Sequence, residues 1–187
     1  MRHDRQRRPR PPLSSEKLHE LALAYVGRFA TTRAKLRIYL TRKIRERGWD
    51  EERSPNLQAI ADDFARRGYI DDAAYAVSKS RTLTGRGYGA RRVDQTLRSA
   101  GVEEGDAAGA RELARQVSLD AALRFAERKR IGPYASEQAD MKGRERALAA
   151  MIRAGHDFAV ARAIVRMTPG EPLDIDKIRE TTGLMEN

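Results

Sequence analysis

Three glycines, Gly48, Gly101 and Gly155, each close the same short pattern: apolar, three residues, apolar, three residues, glycine. The pattern runs Leu40, Ile44, Gly48, then Val93, Leu97, Gly101, then Ala147, Met151, Gly155, and the glycines stand 53 and 54 residues apart. Apolar residues four apart share one helix face, and a following glycine accepts the left-handed conformation that ends a helix. A recurrence of this kind predicts tandem helical units. Each unit of roughly 50 residues is marginal as an independent domain and gains by sharing core surface with its neighbours.

The segments between these stops read as helices throughout. Leu18, Leu21, Ala22, Tyr25 and Phe29 form the inward stripe of a first helix opened by Ser14. A second starts at Thr31 or Thr32, carries Leu36, Leu40 and Ile44, and stops at Gly48. Ser54-Pro55 signals a third, with Leu57, Ile60, Ala61 and Phe64 inward, ending at Gly68. Asp71 caps a fourth over 72–84, the Gly85, Gly87, Gly89 run breaks it, and a fifth carries Val93 and Leu97 to Gly101. A weaker helix over 106–117 is interrupted by Gly109, and Ser118 opens a seventh bearing Leu119, Ala122, Leu123 and Ala126. Residues 131–141 form a loop around Gly132-Pro133. Two more helices follow, one over 144–154 and one after Asp157 that buries Phe158, Ala161, Ile164 and Val165. No segment shows the period-2 alternation of a strand, so the expected class is all-α. The expected division is a disordered basic arm (1–13), three three-helix repeats (14–68, 69–117, 118–167) and a flexible C-terminal extension (168–187) that begins at the Pro169-Gly170 break.

Charge narrows the function classes. Thirty-seven Lys and Arg against 27 Asp and Glu give a formal net charge of +10, which favours a polyanionic or acidic partner through steering and counterion release. The charge is uneven: residues 28–47 hold eight basic residues and one acidic, whereas 171–187 hold five acidic and two basic. The arm contributes five arginines and three prolines, too few apolar groups for a core. There is no cysteine, hence no disulfide and no thiolate chemistry. No apolar run approaches the roughly 20 residues of a membrane span, and the N-terminus lacks the apolar core of a secretory signal. The expectation is a cytoplasmic protein without a membrane partner.

Catalytic constellations are missing from the sequence. His3, His19 and His156 are scattered, and Asp157 beside His156 is explained as a helix cap. Asp62-Asp63 and Asp71-Asp72 are adjacent pairs whose side chains diverge by about 100° on a helix, so they do not converge on one cation. The Gly85, Gly87, Gly89 run lacks the Gly-Lys-Ser/Thr of a phosphate loop and the strand of a dinucleotide turn. The chain is therefore expected to be no enzyme and to use no cofactor or metal.

The arginines carry the functional reading. On the second helix Arg33, Lys35, Arg37 and Arg42 lie off the Leu36, Leu40, Ile44 stripe. On the fifth, Arg91, Arg92 and Arg98 lie off the Val93, Leu97 stripe, and Arg86 sits within the glycine run. Guanidinium forks suit carboxylate or phosphate, so these eight residues are the candidate partner-binding set. The aromatics Tyr25, Phe29, Phe64, Tyr75, Phe125 and Phe158 are assigned to the core, and only Tyr88 and Trp49 stand where a base could stack.

The turn Arg67-Gly68-Tyr69-Ile70-Asp71-Asp72, followed by Gly87-Tyr88-Gly89-Ala90-Arg91-Arg92-Val93 and Leu97-x3-Gly101, resembles the RecX family of bacterial regulators of the RecA recombinase. Phe29-Ala30-Thr31-Thr32-Arg33-Ala34-Lys35-Leu36 is similar to the family's opening repeat. The resemblance covers about residues 15–167, with its central third the most specific. It implies three tandem three-helix repeats in a curved all-α array. It also implies a protein that binds RecA and the RecA–DNA filament, touching DNA directly or not, and restrains recombination and ATP hydrolysis; the expected state is a monomer. The strongly basic arm and residues 168–187 depart from the family pattern and inherit nothing from it. The alternative is a RecA-independent nucleic-acid-binding protein of helix-turn-helix type.

Overall fold

Helix caps written into the sequence set the element boundaries. The computed structural model describes residues 11–183, and most of the basic arm lies outside them. Among the described residues ten α-helices follow one another: α1 Ser15–Val26, α2 Arg33–Arg47, α3 Leu57–Arg66, α4 Asp72–Gly85, α5 Ala90–Ser99, α6 Glu104–Gln116, α7 Ser118–Lys129, α8 Met141–Arg153, α9 Phe158–Arg166 and α10 Ile175–Thr182. A single 3-10 turn, Gly132–Tyr134, interrupts the series, and among the described residues there is no strand. Ser14, Thr32, Asp140, Asp157 and Asp174 each cap a helix through a side-chain oxygen. The three repeat glycines take positive φ values of 85°, 68° and 91° at positions 48, 101 and 155, as the sequence pattern predicts.

Contacts divide the chain into two compact units. The first comprises the residues through Tyr75 together with Ala100–Val102. Its core gathers Leu18, Leu36, Leu40, Ile60 and Phe64 from α1, α2 and α3. Fully burying each such side chain contributes about 1.5–3 kcal/mol. Leu13 corrects the expected arm boundary: it is 0% exposed, its N–H donates to the Gly48 carbonyl and its own carbonyl accepts from Asp50, both at 3.0 Å. One leucine beside Pro11-Pro12 gives no helical or strand periodicity, so its burial is invisible to pattern reading.

The second unit comprises Ala76–Ser99 and the residues from Glu103 onward. Val93 and Leu97 on α5 are fully buried, and α6, which packs on that helix, buries Ala107, Ala110 and Ala114. Gly109 does not interrupt α6, which continues through it; a helical glycine costs only about 1 kcal/mol, which tertiary packing offsets. A further core joins α7, α8 and α9 around Phe125, Met151 and Ile164. The C-terminal extension is also corrected. Pro169-Gly170 does form a turn, with Gly170 N–H donating to the Pro133 carbonyl (2.9 Å), but α10 follows it and buries Ile178 against α9.

Candidate polyanion-binding surface

On α2 the sequence-predicted cations separate into two kinds. Arg33 and Lys35 serve the fold. The Asp72 carboxylate, whose side chain is 3% exposed, accepts from the Arg33 backbone N–H at 3.0 Å and from its Nε at 3.1 Å. Asp71 alone caps α4, accepting from Ala74 N–H at 2.8 Å, which leaves Asp72 for the arginine. Lys35 Nζ donates to the Tyr75 hydroxyl and lies 4.7 Å from that ring's centroid. Arg37 and Arg42 point outward: Arg37 reaches Gln58, and Arg42 Nε lies 3.6 Å from Glu46.

The aromatic assignments change most. Phe29 lies past the end of α1 and is 54% exposed, and Phe158, the first residue of α9, is 50% exposed. Both fall where a helix starts or stops, and about half of each side chain faces water. Tyr88 and Trp49, the expected platforms, are partly buried, and the Trp49 indole N–H donates to the Arg53 carbonyl at 2.8 Å.

In the second unit, Arg86, Arg91, Arg92 and Arg98 are all exposed around the turn from α4 to α5 and along α5. Arg91 and Arg98, seven apart, share one face of α5, and Arg92 is offset by about 100°. Arg91 lies 3.8 Å from Asp157, Arg92 donates to Gln95 at 3.1 Å, and Arg98 pairs with Asp94, which also accepts from Arg111 at 2.8 Å. The start of α5 is held rigidly. Gly89 N–H donates to the Ala154 carbonyl at 3.0 Å and Arg91 N–H to the Gly155 carbonyl at 3.2 Å. The carbonyl end of α8 thereby satisfies the free N–H groups of α5 and sets a negative dipole end against a positive one.

His156 completes this frame. Its ring is 2% exposed, Nε2 donates to the Gly87 carbonyl at 3.1 Å, and its plane meets Phe125 edge-on at 5.3 Å. Burial, with the nearby Arg128 cation adding to it, pulls its pKa down to about 4 despite the opposing Gly87 bond. Arg128 donates to the Arg86 carbonyl and lies over the Phe125 ring. Among the described residues no group of three or more His, Asp or Glu side chains is arranged to hold a metal ion, and no helix is long and apolar enough to cross a membrane.

Comparison with known proteins places this arrangement. No family model matches the chain. A curated relative, the regulatory protein RecX of Myxococcus xanthus, is 33% identical over 174 residues, covering 87% of this chain and 91% of the relative. The regulatory protein RecX of Agrobacterium fabrum is 29% identical over 148 residues, covering 77% and 79%. Among solved structures, RecX from Lactobacillus salivarius superposes with a TM-score of 0.63 at 18% identity, covering 81% of this chain and 94% of that one. A second crystal structure of regulatory protein RecX gives 0.61 at 21% identity, covering 80% and 71%. The structural likeness concerns the fold alone; the sequence likeness, which spans most of both chains, shows that this protein belongs to the RecX family.

Proposed function

We propose that this protein binds the RecA nucleoprotein filament and restrains its recombinase and ATPase activities in DNA repair and the SOS response. It acts as a monomer in the cytoplasm, with its helices grouped as three successive trios over 14–68, 69–117 and 118–167. The regulatory name carried by its relatives supports the role. The observation that carries it is the α4–α5 turn. Its backbone is fixed by Gly155 and His156, while Arg86, Arg91, Arg92 and Arg98 remain outside on that fixed frame. Exposed guanidinium groups held on a rigid support lose little entropy when they meet phosphate or carboxylate. Arg37 and Arg42 belong to the same proposed set, whereas Arg33 and Lys35 are withdrawn from it as parts of the fold.

The test is the DNA-dependent ATPase and strand-exchange activity of the cognate RecA with added protein. Both should fall at substoichiometric ratios of this protein to RecA. No effect at equimolar folded protein would overturn the reading.

A further inference from the structure

We propose that the face formed by α1 and α2 is a base-stacking site for single-stranded nucleic acid, working without any partner protein. It goes beyond filament binding and rests on an aromatic row outside the filament-binding set, with Arg42 alone shared between the two. The Tyr25 and Tyr39 rings lie stacked, 4.2 Å apart and 13° from parallel. Phe29 continues the row, 5.4 Å from Tyr25 and tilted by 48°. Cations flank both ends: Arg28 stands 5.9 Å from the Phe29 centroid, and Arg42 and Lys43 each stand 5.7 Å from that of Tyr39. The row is held in place, since Phe29 N–H donates to the Tyr25 carbonyl at 3.1 Å.

Tyr25 and Tyr39 are partly buried against the unit's core, which accounts for their presence. Packing does not account for Phe29, which leaves over half of its surface in water at the open end of the row. Its exposed ring is next in line for a further planar group. The surrounding charge selects what that group belongs to. From Arg28 to Arg45 there are seven basic residues and no acidic one; Arg33 and Lys35 serve the fold, which leaves Arg28, Arg37, Arg42, Lys43 and Arg45. A ligand must then offer flat π faces and regularly spaced negative charge together. An unpaired polynucleotide strand does both, whereas a duplex hides its base faces and an acidic peptide has few planar groups. Glu46 is the nearest carboxylate in sequence; it engages Lys43 Nζ at 2.6 Å and Arg42 Nε at 3.6 Å. That carboxylate competes with phosphate for the same two cations.

The experiment is fluorescence anisotropy with the full chain, no recombinase present, and three labelled probes of equal length: oligothymidylate, an abasic deoxyribose-phosphate strand and a duplex. Stacking contributes about 1–3 kcal/mol per base, so oligothymidylate should bind at least about fivefold more tightly than the abasic strand. Phe29→Ala and Phe29→Leu should both abolish that preference, and Phe29→Trp should keep it. The leucine variant retains apolar bulk, so a folding defect is distinguished from loss of a π face. Glu46→Gln should raise affinity for both single strands. Equal binding of oligothymidylate and abasic strand by the wild type, or a preference that survives Phe29→Leu, would overturn the proposal. Since RecA is absent, neither result depends on filament binding.

Discussion

Gly89 and Gly155 approach so closely that neither has room for a side chain. A Cβ on Gly89 would overlap the carbonyl of Gly155, and a Cβ on Gly155 would overlap the backbone and Cβ of Arg92. Gly155 also holds φ at +91°, which L side chains rarely adopt. Gly155 is thus the floor on which α5 begins.

Gly89→Ala and Gly155→Ala should therefore each destabilise the protein by about 1–3 kcal/mol from overpacking, with Gly155→Ala adding roughly 1–2 kcal/mol of backbone strain. Gly105→Ala is the control, because its Cβ would meet nothing within 4 Å. Urea unfolding of the three variants measures the difference. Equal midpoints for Gly89→Ala and Gly105→Ala would show that α5 and the α8 end can separate at little cost.

A second expectation concerns pH. His156 titrates near 4 in the fold, below the 6.5 of a free imidazole. Between these values the unfolded chain takes up a proton that the folded chain refuses. Stability contributed by neutral His156 is therefore complete above about 6.5, declines as pH falls, and is fully lost below about 4. The full span corresponds to roughly 3 kcal/mol. His156→Gln, which keeps a donor for the Gly87 carbonyl, should flatten the dependence in this window. Glu51, Glu112 and Glu171, all held below their ordinary pKa by hydrogen bonds from Ser15, Arg115 and Thr168 respectively, titrate in wild type and variant alike and cancel in the comparison. Parallel curves of unfolding free energy against pH would refute the assignment.

Periodicity made the frame legible and left the charges ambiguous. Leu36, Leu40, Val93, Leu97 and Ile164 are buried where their spacing predicts, because four-residue spacing and a buried helix face are the same geometric fact. Leu13 and Ile178 escaped notice because neither belongs to a long periodic run. Phe29 and Phe158 misled for the opposite reason: each continues a stripe beyond the point where a neighbouring helix covers it. Among the cations, spacing separates inward from outward but not engaged from available. Arg33 and Arg37 share a face of α2 four residues apart, yet only Arg33 finds the buried Asp72 across a separation of 39 residues. One clue was present in the sequence. Asp71 suffices to cap α4, so a second adjacent carboxylate required another partner.

That distinction yields the last prediction, which separates cations of the fold from cations of the surface. Arg33→Ala leaves the nearly buried Asp72 carboxylate with a backbone N–H but no guanidinium. Since Arg33 is itself 27% exposed, the cost should be about 1–3 kcal/mol, below that of a fully buried pair. Arg91→Ala combined with Arg92→Ala should behave differently. Arg91 and Asp157 are 3.8 Å apart with side chains 66% and 53% exposed, and such surface pairs contribute close to nothing. Both arginines also sit at the positive end of the α5 dipole, where a cation gains no stability. The double variant should keep the wild-type melting temperature while binding the RecA filament more weakly. If the lost contacts are to phosphate, the slope of log affinity against log salt should fall by roughly one to two. Weaker binding with an unchanged slope would place the contacts on RecA carboxylates. Unchanged affinity at every salt concentration would remove Arg91 and Arg92 from the binding surface.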